Sequence, residues 1–261
     1  MSKILIALFL GLVQGLTEFL PVSSSGHLVI LQGFCGKEWT GNVLFDVSVH
    51  LGTTIAVIVY FSRELLGLIK GVMPRSWDRQ KANTVFGLIL TTAVTGIIGL
   101  VFKDRFEAMF SMPALVAVSL MITGLLDFTT ELRYRQTGIS GHVRVLDAIV
   151  IGVFQGIAII PGISRSGSTI FAGVILGMDA LWATQYSFLA SIPAILGAAL
   201  LEYTDMLQVF SLADLAGMLS SFIVGLISLR ILVWTLKKHR YFIFAVYCWL
   251  VGAAYLVSGV L

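Results

Sequence analysis

Apolar residues run through this chain in long blocks separated by short polar segments. Six blocks, roughly 43–62, 84–102, 112–130, 181–201, 213–236 and 241–261, each approach the 20 or so residues of helix that cross a hydrocarbon core of about 30 Å. Two further apolar regions, 3–34 and 146–178, are interrupted midway by Pro21-Val-Ser-Ser-Ser-Gly26 and Pro161-Gly-Ile-Ser-Arg-Ser-Gly167. Each half of these regions is too short to cross comfortably. Broken backbone at membrane depth survives only where protein or a wet cavity satisfies its polar groups. The pattern predicts an all-α polytopic membrane protein with six transmembrane helices and two re-entrant helix–loop–helix pairs. Two long kinked spans in place of the re-entrant pairs are the alternative.

Composition excludes the soluble classes. Of 261 residues, 57% are hydrophobic and 12% charged, and the mean hydropathy is +0.96. Ordinary soluble domains are about 45–50% apolar and about 25% charged, so a soluble enzyme and a disordered chain are both ruled out. The 26 glycines sit inside apolar segments, which suits close helix packing in lipid. A net charge of +3 with dispersed basic residues gives nucleic-acid binding no support. Cys35 and Cys248 form neither a ligand-spaced cluster nor a disulfide framework. Lys3 and the apolar run Ile4–Val13 imitate a signal peptide. No small-residue cleavage site follows, and Gln14 and Glu18 continue the helical pattern, so this segment is expected in the mature chain.

Charge sets the expected orientation. Segments 62–83, 131–145 and 237–240 hold 11 of the 17 basic residues (Arg63, Lys70, Arg75, Arg79, Lys81; Arg133, Arg135, Arg144; Lys237, Lys238, Arg240). The opposite loops hold Lys3, Lys37, Lys103 and Arg105, with Glu202, Asp205 and Asp214 in the 202–214 connection. Six crossings plus two re-entrant pairs put all three basic segments on one face, cytoplasmic by the positive-inside rule.

The two broken regions also resemble each other at a constant offset of 141 residues: Gly11, Gln14, Gly15, Ser23, Ser25 and Gly26 match Gly152, Gln155, Gly156, Ser164, Ser166 and Gly167. Three spans separate them, so the second copy inserts with opposite orientation. The chain reads as one membrane domain of two inverted repeats, 1–132 and 142–261. Such repeats with discontinuous helices place a polar site near the midplane.

The tips carry the candidate chemistry. Ser23 opens an apolar-periodic run as an N-cap should. Ser24, Ser25 and Gly26 then present backbone N–H groups at a helix N-terminus, an anion site by its unsatisfied donors and positive dipole end. Ser164, Arg165, Ser166 and Gly167 repeat this and add a guanidinium, whose planar fork suits phosphoryl oxygens. An ionisable residue at this depth is functional by default. His27, on the same helical face as Ser23 and Ser24, is positioned for proton transfer to or from a serine. Glu18 and Gln14 share a face. Glu18 can pair with Arg165, bind a hard cation or orient His27, and the sequence does not choose. Thr169 adds a hydroxyl four residues after Arg165. Asp46 and His50 either extend the site or form an interfacial pair, and Asp179 is expected to cap the helix that follows it.

The segments Leu-Val-Gln14-Gly-Leu-Thr-Glu18-Phe-Leu-Pro21-Val-Ser-Ser24-Ser-Gly-His27 and Pro161-Gly-Ile-Ser164-Arg165-Ser166-Gly-Ser-Thr169 resemble the two signature motifs of the undecaprenyl-diphosphate phosphatase family, the bacitracin-resistance type. The likeness covers the whole chain in length, span pattern and motif spacing. It implies hydrolysis of a C55 polyprenyl diphosphate to the monophosphate carrier lipid, at a site open to the outer face of the bacterial cytoplasmic membrane. It also implies a divalent cation, Mg2+ or Ca2+. Many relatives have glutamate where this chain has Gln14, which leaves Glu18 the principal metal carboxylate. Relatives often read Ser-Ser-Thr-Gly-His where this chain has Ser23-Ser24-Ser25-Gly26-His27.

The expected mechanism is phosphoryl transfer. Ser24 or Ser23 attacks, or orients a water, His27 moves the proton, and Arg165, the loop amides and a cation held by Glu18 and Gln14 neutralise charge. The expected partners are the lipid substrate and membrane lipids, with no nucleic acid and with homodimerisation left open. The rival reading is a transporter of anions or phosphorylated lipid, which needs the anion loops but no acid–base group.

Overall fold

The computed structural model describes residues 3–36, 39–134, 143–201 and 210–257. Lys37, Arg135, Glu202, Asp205 and residues 258–261, which entered the charge and span arguments, lie outside them. The described residues are helical, with no strand among them. The order is α1 (Lys3–Thr17), α2 (Ser24–Cys35), α3 (Val43–Tyr60), α4 (Ser62–Gly71), a 3-10 turn (Pro74–Ser76), α5 (Arg79–Val101), α6 (Lys103–Met109) and α7 (Pro113–Tyr134). It continues with α8 (Val145–Ile157), α9 (Arg165–Ile175), α10 (Ala180–Leu201), α11 (Leu212–Lys237) and α12 (Phe242–Val257).

Five of these, α3, α5, α7, α10 and α11, are long and apolar enough to cross a membrane, and the protein is a polytopic helical membrane protein. Where a sixth span was expected, the described residues hold a shorter apolar helix, α12, of 16 residues. The basic segment 62–83 is more ordered than its composition announced: it holds α4, whose Ser62–Gly71 stretch carries Arg63, Glu64 and Lys70. The N-caps follow side-chain chemistry. Asn42 Oδ1 accepts from Phe45 N–H, Asp78 from Gln80 and Lys81, and Asp179 from Leu181 and Trp182 at the start of α10.

Both broken regions are helix–loop–helix pairs, α1–α2 and α8–α9. Their first helices pack alike. On α1, Gly11 lies against Gly217 of α11 so closely that a Cβ would strike the Gly217 carbonyl. On α8, Gly152 does the same against α5, with Thr91 O 2.9 Å from where a Cβ would sit. Helices can approach so closely only where the side chain is absent. Thr91 and Thr95 then reach across to the Ala148 and Gly152 carbonyls, at 2.9 and 3.1 Å. The main core gathers around Phe19, Phe188, Ile170, Leu189 and Leu229, where the first loop meets α9, α10 and α11.

Candidate active site

The sequence folds each tip with the same local device. Ser23 Oγ accepts the Gly26 N–H at 3.3 Å, and Ser164 Oγ accepts the Gly167 N–H at 3.1 Å. Each capping oxygen also lies near the hydroxyl two residues on, Ser25 at 3.3 Å and Ser166 at 3.1 Å. The two tips touch. A Cβ on Gly26 would lie 3.1 Å from Gly162 Cα, and one on Gly167 would lie 3.2 Å from Pro21 Cβ. Ser166 Oγ donates to the Leu20 carbonyl at 3.4 Å. Gly162 has φ 93° and is packed against Val116 and Ser119 of α7, so both its backbone and its crowding require glycine.

This contact brings Glu18 and Arg165 together across 147 residues of sequence. Arg165 Nη2 donates to Glu18 Oε1 at 2.5 Å. The other carboxylate oxygen, Oε2, accepts from Gln14 Nε2 at 2.8 Å and from Ser24 Oγ at 2.6 Å. His50 Nε2 is 3.6 Å from the same oxygen. Glu18 is buried, whereas Ser24 is half-buried and the Arg165 side chain is 17% exposed. The pair is therefore shielded yet reachable. Ion pairing to Arg165 is thus the role, among the three open for Glu18, that the geometry displays.

Two expected contacts are absent. His27 does not meet Ser24. Its Nδ1 is 2.8 Å from the Ser23 carbonyl, which only accepts, so Nδ1 carries the proton, and Nε2 is 2.7 Å from Tyr247 OH. The His27 and Tyr247 rings stack at 9°. The Thr169 hydroxyl turns away from the tip, donating to its own helix at Arg165 O and meeting Ser187 Oγ of α10. The imidazole beside the carboxylate is His50 instead, its Nδ1–H fixed on Asp46 O at 2.7 Å. Asp46 itself accepts from Gln32 at 2.6 Å. Tyr247 lies 220 residues from His27 in the chain, and no local spacing announces it.

Among the described residues, two buried atoms at the site have no hydrogen-bond partner: Arg165 Nη1 and Gln14 Oε1. The first is a charged donor left over after Arg165 has paired with Glu18. The second is an oxygen on the side chain that donates to the Glu18 carboxylate. Among the described residues no group of three His, Cys, Asp or Glu side chains forms a protein-only metal cage. The donor set, one carboxylate and one amide oxygen, is of the hard kind that Mg2+ or Ca2+ would take.

Comparison with known proteins bears on what such a site does. A family model described as bacitracin resistance protein BacA matches residues 7–254. A protein of Syntrophotalea carbinolica named undecaprenyl-diphosphatase is 43% identical over 254 residues, covering 95% of this chain and 96% of its own. Proteins of the same name from Carboxydothermus hydrogenoformans and Methanosphaera stadtmanae are 42% and 37% identical, covering 96% and 100% of this chain and 95% and 99% of their own.

Proposed function

The chain belongs to the BacA family of bacitracin resistance proteins, and on that footing we propose that it hydrolyses undecaprenyl diphosphate to undecaprenyl phosphate and inorganic phosphate. Recycling of the cell-wall carrier lipid and resistance to bacitracin follow from the same membership. The observation that carries the site assignment is the Arg165 guanidinium. One arm holds Glu18 and the other, Nη1, is buried without a protein partner, which is the arrangement a phosphoryl oxygen completes.

The residues then divide the work. The N–H groups at the starts of α2 and α9, with Arg165, oppose the charge that spreads over the phosphoryl oxygens in the transition state. Ser24, half-buried and donating to Glu18 Oε2, attacks the terminal phosphorus or orients the attacking water, and its proton passes to Glu18. Attack by Ser24 forms an O–P bond as the P–O–P bridge breaks, and water later splits the phosphoserine. His27, held by Ser23 O and Tyr247 OH, braces the first tip, and proton transfer by it requires Nε2 to leave Tyr247. Ser23, Ser25, Ser164 and Ser166 shape the two anion loops. Gln14 and Glu18 would hold Mg2+ or Ca2+ jointly with the substrate, and a cation there supplies charge neutralisation.

The topology in this reading is six crossings plus two re-entrant pairs in the cytoplasmic membrane, with the site open to the outer face. Support comes from the reciprocal packing of α1 on α11 and α8 on α5, which suits inverted repeats, and from the grouping of basic residues.

The test is phosphate release from farnesyl diphosphate by folded protein in detergent. Arg165→Ala and Glu18→Ala are each expected to lower it by about 10³-fold, and turnover retained in both would refute the assignment. Since detergent leaves no compartments, release there also separates hydrolysis from a purely transporting protein. Rapid quench with labelled substrate decides the nucleophile: trapped phosphoserine supports Ser24, and its absence supports direct attack by water.

A further inference from the structure

Helix α7 carries a buried polar stripe to which the hydrolytic reading gives no chemical role. Ser119, Thr123, Asp127 and Glu131 recur at every fourth residue and so share one face of the helix, and none is more than 3% exposed. The upper part of the stripe ends at the second tip. Thr123 Oγ1 accepts the Ser164 N–H at 2.9 Å and donates to the Gly162 carbonyl at 2.8 Å. From Ser164 the hydroxyl contact to Ser166 leads on to the neighbourhood of Arg165. The lower end reaches the basic 237–240 turn, where Glu131 Oε2 accepts the Tyr241 N–H at 2.8 Å.

Asp127 lies between these ends and is fully buried. Its Oδ1 is 2.9 Å from where a Cβ on Gly167 would sit, so the carboxyl abuts the first turn of α9. The titratable groups facing it are Tyr241, just before α12, and Cys248 of α12. Among the described residues neither Asp127 oxygen nor Ser168 Oγ, all buried, makes a well-formed hydrogen bond, and the Tyr241 hydroxyl is the group that interacts with the Asp127 carboxyl. Orphaned polar atoms are rare in folded proteins and each needs a reason. In a membrane span an ionisable one marks an ion or proton route by default. Packing supplies no such reason, since an apolar side chain would fill the same space without the cost.

We propose that this stripe is a proton path between the joined tips and the cytoplasmic end of the bundle. Asp127 holds the proton beside the Tyr241 hydroxyl, and water completes the stripe where buried polar groups are left unpaired, as is common at such groups. The proposal rests on the tips being the hydrolytic site. Hydrolysis there consumes one water, breaks one P–O–P bond and frees a proton as both phosphates become separate dianions. The phosphates leave by the mouth of the site, while the proton leaves past Thr123, Asp127 and Glu131.

The experiment uses the whole protein in vesicles that enclose a pH-sensitive dye. A potassium diffusion potential set by valinomycin, negative inside, draws protons inward through any open path. Wild-type protein is expected to acidify the lumen about fivefold faster than Asp127→Asn, with Tyr241→Phe in between. Asp127→Asn keeps the side-chain shape, and a thermal unfolding midpoint in detergent close to that of wild type reports that it is folded. A wild-type rate equal to that of Asp127→Asn, or to that of protein-free vesicles, would overturn the path and leave the hydrolytic reading standing. Proton uptake lost in Asp127→Asn, with no phosphate release by wild type, would support the path and count against the hydrolytic reading alone.

Discussion

The tips of α2 and α9 are built to one plan and differ in the side chains that carry the chemistry. Each has a serine cap accepting an N–H three residues on, a second serine beside it, and a glycine where the partner tip presses close. At the shared offset, Ser24 corresponds to Arg165, Glu18 to Ile159, His27 to Ser168 and Leu28 to Thr169. The first tip thus supplies a half-buried hydroxyl and a carboxylate, and the second supplies the guanidinium that meets them. The backbones differ too: Ser23 has φ 65°, in the left-handed region, whereas Ser164 has φ −72°. Strain of that kind costs on the order of 1–3 kcal/mol and gathers at functional sites. A common scaffold therefore fixes where the two helix N-termini point, and a few substitutions decide which becomes the reacting side and which the anion clamp.

The largest expected effect comes from removing what distinguishes the tips. Ser24→Ala and Arg165→Ala should each lower phosphate release by about 10³-fold, and the double variant should be little worse, because the two act as a unit. Equal, fully additive losses would mean that the tips work separately.

Next are substitutions at the seam. Gly167→Ala must displace Asp127 or Pro21 and should cost about 1–3 kcal/mol of stability, measured by thermal unfolding in detergent. Thr123→Val removes both hydrogen bonds that pin the second tip, leaving the Ser164 N–H and Gly162 carbonyl unpaired. It should cost about 1–3 kcal/mol and raise KM more than it lowers kcat, since it loosens the clamp and spares Ser24. The smallest effect compares the caps. Ser23→Gly trades the cap for relief of its positive φ and should be neutral to stabilising by about 1 kcal/mol. Ser164→Gly, with nothing to relieve, should destabilise by a few tenths of a kcal/mol.

Much of this arrangement was legible from the chain. The breaks at Pro21 and Pro161, the caps at Ser23 and Ser164, and the length of the main apolar helices follow from local rules: proline excludes a helical donor, serine replaces one, and apolar length must match the bilayer. What stayed hidden depends on contacts between distant residues. His27 was expected beside Ser24 on the strength of their spacing, yet Tyr247 and the Ser23 carbonyl hold both its nitrogens. His50 reaches Glu18 because α3 packs behind the first loop. The α7 stripe is a different case. Its four-residue recurrence stands in the sequence, but an apolar span reads as lipid-facing until the fold shows which side is buried.

The central claim is that Glu18 and Arg165, on separate hairpins, form one buried pair. A double-mutant cycle on unfolding in detergent tests it most directly, using Glu18→Gln, Arg165→Gln and both together. Removing either partner alone should destabilise by about 3 kcal/mol because it strands the other charge, while the double variant should cost no more than one single. Single effects that add to within about 0.5 kcal/mol, as those of distant residues do, would contradict the pairing and with it the site.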